Sequence, residues 1–149
     1  MSLENKIMPD LKTAMKSKDQ AALRSIRAIK AAILLTKTDG SGKELDEAGE
    51  IKLLQKLVKQ RQDSLDIFKK QGRDDLAKVE EQEIEVISRY LPKQLSSDEL
   101  KPIISDIIAK TGASGMKDMG KVMGMASAQL AGQADGKTLS GIVKELLNS

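Results

Sequence analysis

A single phenylalanine, a single tyrosine and no tryptophan in 149 residues restrict this chain more than any other feature of its sequence. Sandwiches and barrels draw heavily on aromatic and β-branched side chains. Here a core must be built from Leu, Ile, Val, Met and Ala, most of which favour helices. The chain is long enough for one or two small domains. Its 40% hydrophobic and 32% charged residues suit a globular protein, not a membrane-embedded or disordered one.

The chain also has no Cys and no His. That excludes disulfides, thiol nucleophiles, zinc sites built on those residues, Ser–His–Asp triads and histidine acid–base chemistry. No metal site and no cofactor are expected. Residues 1–15 carry Glu4 and Asp10 and no apolar run, so no leader peptide is expected. No segment approaches the ~18 apolar residues of a membrane span. The expected compartment is the cytoplasm, with no membrane partner.

The periodicity predicts helices throughout. Residues 3–17 and 19–37 form two, the second with Leu23, Ile26, Ile29 and Ile33 on one face. Residues 38–42 are a loop by composition. A long helix over about 46–71 carries Ile51, Leu54, Leu57, Val58, Leu65 and Phe68 as its stripe. Gly72 ends it as a left-handed cap, and Asp74 and Asp75 open the next helix, to about Tyr90. These two pair as a long antiparallel hairpin. The expectation is an all-α chain: an N-terminal helical domain over 1–92, a hinge at 91–95, and a three-helix domain over 96–149. Ser96 with Glu99 forms a capping box for a helix to about Lys110, followed by helices over about 115–131 and 136–147.

Charge is segregated along the chain. Residues 1–37 hold eight basic and three acidic side chains, and residues 52–73 hold seven and two. Residues 74–85 reverse the sign, with six acids against Lys78. Arg24, Arg27, Lys52, Lys56 and Lys59 are candidates for an N-terminal basic surface.

The stretch GMKDMGKVMG, residues 115–124, imitates a phosphate-binding loop. Such a loop needs a preceding strand and a Ser or Thr after its lysine. Here Val122 follows Lys121 and no strand precedes, so no nucleotide is expected. The alternative is a helix on which Gly120, Gly124, Ala128 and Gly132 recur every four residues. That spacing leaves a shallow face for close approach, by another helix with the methionines filling gaps, or by a phosphate backbone.

The blocks LRSIRAIKAAIL, KQRQDSLDIFKKQGRDDL, EVISRYLPKQL and MGKVMG…LAGQADGKTLSGIVKELL resemble the GatB/YqeY family, in the family's order and over essentially the whole chain. The resemblance implies an all-helical fold with a long-hairpin N-terminal domain. It also implies a C-terminal domain similar to the tail of the B subunit of glutamine-dependent aminoacyl-tRNA amidotransferase, which helps bind tRNA. The matching positions are Gly120, Lys121, Val122, Gly124, Gly132, Asp135, Gly136, Lys137, Val143, Lys144 and Leu147. The family pattern usually carries a basic residue beside Gly132; this chain has Ala131 and Gln133. Lys117, Lys121, Lys137 and Lys144 remain as the basic groups of the region.

Amidotransferase chemistry needs an activated nucleophile and a nucleotide site, and neither is visible. The expected function is therefore a noncatalytic, tRNA-associated binding module. The alternatives are a protein-interaction adaptor docking through the Gly/Met-bearing C-terminal helix, and a glutamine-dependent carbon–nitrogen ligase in name or as part of a complex.

Overall fold

The structure, a computed structural model, describes residues 2–40 and 44–148. Among these residues every regular element is helical, and the chain is all-α. The helices are α1 (Leu3–Ser17), α2 (Gln20–Lys37), α3 (Glu47–Lys70), α4 (Asp74–Ser88), α5 (Ser97–Thr111), α6 (Met119–Gln129) and α7 (Gly136–Leu147), with a 3-10 turn at Met116–Asp118. The chain divides into two compact units, residues 1–91 and 92–149. Ser41 and Gly42 of the expected 38–42 loop lie outside the described residues.

In the first unit, α1 and α2 reverse direction over two residues. Lys18 takes a left-handed conformation, φ 57°, and its N–H bonds to the Ala14 carbonyl. Asp19 then caps α2 by accepting the Ala22 N–H at 3.1 Å. The expected stripe of α2 is buried: Leu23, Ile26, Ile29 and Ile33 pack with Leu3, Ile7 and Ala14 of α1, Leu54 of α3, and Val86 and Ile87 of α4.

The hairpin of α3 and α4 turns at Gly72, whose φ of +70° confirms the left-handed cap. The Arg73 N–H bonds back to the Phe68 carbonyl at 2.9 Å. At 1.5 Å per residue, the 24-residue α3 is about 36 Å long. Basic residues of α3 meet acids of α4: Lys69 lies 3.4 Å from Glu81, and Arg61 lies 3.5 Å from Glu83. Burial and the neighbouring Glu83 together raise the Glu80 carboxyl above its ordinary range, against the pull of Arg61.

The second unit starts with the capping box in both directions, Ser96 Oγ accepting the Glu99 N–H and Glu99 accepting the Ser96 N–H. Its core joins Leu100, Ile104 and Ile107 of α5, Val122 and Ala126 of α6, Leu130, and Leu139, Ile142 and Val143 of α7. The helix expected over 115–131 is shorter. Asp118 accepts the Ser114 N–H at 3.0 Å, which holds a 3-10 turn ahead of α6. At the other end Leu130 enters the core, and the chain reverses through Gly132 at φ +78°. Residues near the start of this unit are fastened to this turn: Leu95 N–H bonds the Gln133 carbonyl at 2.9 Å, and the Gln94 side chain donates to the Gly132 carbonyl.

Two stability outcomes follow from these local geometries. Lys18→Gly relieves a left-handed non-glycine conformation, and the first unit should gain about 0.5–1 kcal/mol in denaturant unfolding. Glu80 is harder to ionise folded than unfolded, so its cost is absent at low pH and grows as pH rises through the carboxylate range. Glu80→Gln should therefore melt above the parent at neutral pH, and the difference should vanish near about pH 3.

Candidate nucleic-acid interface

Most of the C-terminal candidates lie on the exposed faces of α6 and α7, and Lys117 lies on the 3-10 turn before α6. α6 turns Val122 and Ala126 fully into the core, and Met119 and Met123 pack against it. The opposite side is exposed and carries Gly120, Lys121, Gly124, Ser127 and Ala128. α7 buries Leu139, Ile142 and Val143 and exposes Gly136, Lys137, Gly141 and Lys144. Lys137 and Lys144 are seven residues apart, so they stand on one face about 10 Å apart along the axis.

The glycines are not there for packing. A Cβ added at Gly120, Gly124, Gly136 or Gly141 would meet no atom within 4 Å. This corrects the expectation of a groove closed by another helix of the chain. Gly132 is a second correction: it sits in the left-handed turn after α6, not on the four-residue series of that helix. Its role is conformational, because φ +78° is a backbone region that few side chains tolerate.

The acids in this part of the sequence have partners of their own. Asp118 accepts the Ser114 N–H, Asp135 caps α7 by accepting the Thr138 N–H, and Glu145 pairs with Lys101 at 3.4 Å. Each nearby acid is thus engaged elsewhere. Lys117, Lys121, Lys137 and Lys144 are exposed, and their side chains have no hydrogen-bond or ion-pair partner among the described residues.

The N-terminal candidates fall on two separate helix faces. Lys52, Lys56 and Lys59 share the exposed side of α3, where Lys59 is held by Asp63 at 3.3 Å. Arg24 and Arg27 lie on the exposed side of α2, and Arg24 donates to Gln82 of α4 at 3.2 Å. Two exposed leucines, Leu34 and Leu35, share that side of α2, and the buried stripe of the helix gives no signal for them. Gln94 has no local sequence signal either, since a side-chain clamp across 38 residues leaves no local pattern.

A cleft of about 370 Å³ opens between α1, α2 and α4, lined by Asp10, Thr13, Ser17, Asp19, Arg89 and Tyr90 among others. Its polar groups largely satisfy one another. The Tyr90 hydroxyl donates to Asp10, and burial together with that carboxylate pushes the phenol well above its ordinary pKa. Arg89 pairs with Glu85 at 3.1 Å. Among the described residues, no three Asp or Glu side chains gather in a way that would hold a metal ion. No helix of the described residues is long and apolar enough to cross a membrane.

The sequence matches a family model described as Yqey-like protein over residues 4–147. It is similar to proteins named "Altered inheritance of mitochondria protein 41, mitochondrial" from several fungi. The protein of Lachancea thermotolerans is 44% identical over 82 residues, 55% of this chain and 44% of that one. That of Meyerozyma guilliermondii is 38% identical over 127 residues, 81% of this chain and 65% of the relative. That of Vanderwaltozyma polyspora is 32% identical over 117 residues, 74% and 63%. This chain therefore spans less than two thirds of each of these relatives. Their names place them in mitochondria, where the residues alone led to an expectation of cytoplasm.

One consequence concerns α6 directly. Helical glycine costs about 1 kcal/mol against alanine, and Gly124 has room for a methyl group. Gly124→Ala should raise the melting temperature of the second unit by several degrees in a thermal scan.

Proposed function

The chain belongs to the Yqey-like protein family, and we propose that it acts as a noncatalytic module that binds tRNA through the outer faces of α6 and α7. The observation that supports this most directly is that α6, α7 and the turn before them expose four lysine side chains without partners among the described residues, together with glycines that have open space above them. Lysine supplies a charge to each phosphate, and a helix face without side chains lets a sugar–phosphate backbone come close. The resemblance of the chain's motif blocks to the GatB/YqeY family, which implies a C-terminal domain like the tail of the amidotransferase B subunit, supports the same ligand.

With one Phe and one Tyr, the chain has no aromatic platform on which to stack unpaired bases. Recognition would rest on shape and phosphate charge. Lys52, Lys56 and Lys59 on the exposed side of α3 are a separate set of basic side chains in the first unit. Mitochondria and cytoplasm both hold tRNA, so the compartment does not alter the proposal. Because the sequence holds no Cys and no His, the reading places the chemistry of amide transfer outside this chain.

The test is a titration of the purified chain, freed of nucleic acid, into labelled bulk tRNA at about 50 and 200 mM salt. Four phosphate contacts predict an affinity loss of about a hundredfold between the two. Lys121→Glu with Lys137→Glu should weaken binding at least about tenfold at the lower salt, with an unchanged melting temperature because both side chains are exposed. Gly124→Ala should weaken binding while stabilising the unit. Absence of binding at the lower salt, or affinity indifferent to the lysine reversals, overturns the proposal.

A further inference from the structure

Helix α2 is apolar on two sides toward its C-terminal end. Leu23, Ile26, Ile29 and Ile33 are buried inward. Yet residues 28–35, AIKAAILL, contain Lys30 as their one polar residue. Leu34 and Leu35 remain 61% and 71% exposed. A helix that is hydrophobic all round is normally covered all round, and contiguous exposed apolar residues mark contact surfaces. At 3.6 residues per turn, Leu34, Arg27, Ala31, Arg24 and Leu35 fall within an arc of about 100°. They form one strip, cationic in its N-terminal half and apolar in its C-terminal half.

The sign of the strip is uniform. The 18 residues of α2 include Arg24, Arg27, Lys30 and Lys37 and no acid. Lys37 is neutralised by Glu4 at 2.7 Å on the flank facing α1, and Arg24 reaches only the uncharged Gln82 on the other flank. Arg27, between them, has no partner among the described residues.

We propose that the outer face of α2 is a docking surface for an acidic amphipathic helix of a partner protein. The partner's carboxylates would face Arg24 and Arg27, and its apolar side would cover Ala31, Leu34 and Leu35. Nucleic acid fits the arginines but gains nothing from covering two leucines. An anionic bilayer fits the leucines less well, because the exposed acids Asp39, Glu44, Asp46 and Glu47 follow them at the same end of the helix. A helix with one acidic and one apolar side matches both halves of the strip. The proposal is independent of RNA binding by the second unit, and it gives Arg24 and Arg27 a different ligand.

The experiment uses the full chain and a synthetic 18-residue helical peptide with Leu at three- and four-residue spacing flanked by Glu. Its counterpart with Lys in place of Glu, anionic phospholipid vesicles and bulk tRNA serve as competitors for the same face. Amide chemical shifts locate the contact, and fluorescence anisotropy gives the affinity. The acidic peptide should bind saturably at submillimolar concentration and shift amides along α2, with the Lys peptide at least about tenfold weaker. Leu34→Ser with Leu35→Ser should cost at least about tenfold, and Arg27→Glu about as much, while the melting temperature stays unchanged. Four results overturn the proposal: no saturable binding, equal binding of both peptides, shifts located elsewhere, or affinity unaffected by the variants. Perturbation of α2 by vesicles or tRNA in place of the acidic peptide also overturns it.

Discussion

Both cores are closed almost entirely by aliphatic side chains, and this constraint governs how the rest of the molecule is specified. Aliphatic residues supply burial, about 1.5–3 kcal/mol for a large side chain, but no directional contact. Register and reversal must then be set at the helix ends. Ser2, Asp19, Asp46, Ser96 and Asp135 each cap a helix with a side-chain oxygen. Gly72 and Gly112 end α3 and α5 in the left-handed conformation. Directional chemistry is thus concentrated in the turns, and helix faces outside the cores are left free to vary in charge.

That freedom is used differently in the two units. In the first, acids and bases from successive helices neutralise each other across α3 and α4, as at Lys69–Glu81 and Arg61–Glu83. In the second, the acids near α6 and α7 are taken up by caps, turns and Lys101. Charges of both signs therefore pair across the hairpin in one place and leave lysines uncompensated in another. The net charge of +3 conceals both arrangements.

Patterns confined to one helix or one cap were legible in the sequence, and patterns that depend on a reversal were not. The stripe of α2, the Gly72 cap and the Ser96–Glu99 box are local, so spacing alone locates them. The four-residue series through Gly120 and Gly124 was extended to Gly132 because periodicity carries no signal for where a helix stops. Burial of Leu130 decides that, and it depends on α5 and α7. Lys18 is invisible for a similar reason, since a lysine in a position suited to glycine looks like any exposed cation. Lys121, Lys137 and Lys144 could be placed on outer faces from the core stripes. Their lack of partners could not, because it depends on where Asp118, Asp135 and Glu145 are spent.

The exposed glycines of α6 carry a conflict between stability and local purpose. Each costs helix stability, and neither Gly120 nor Gly124 is compensated by a close neighbour. The exposed leucines of α2 pose the corresponding problem for solubility, since hydrophobic area is left facing water. Both departures lie opposite a well-packed stripe, Val122 and Ala126 in one case and Ile26, Ile29 and Ile33 in the other. A helix anchored so firmly on one side tolerates an unfavourable residue on the other without unfolding. The positions least explained by the fold are therefore the ones where a ligand or partner has the most to contribute.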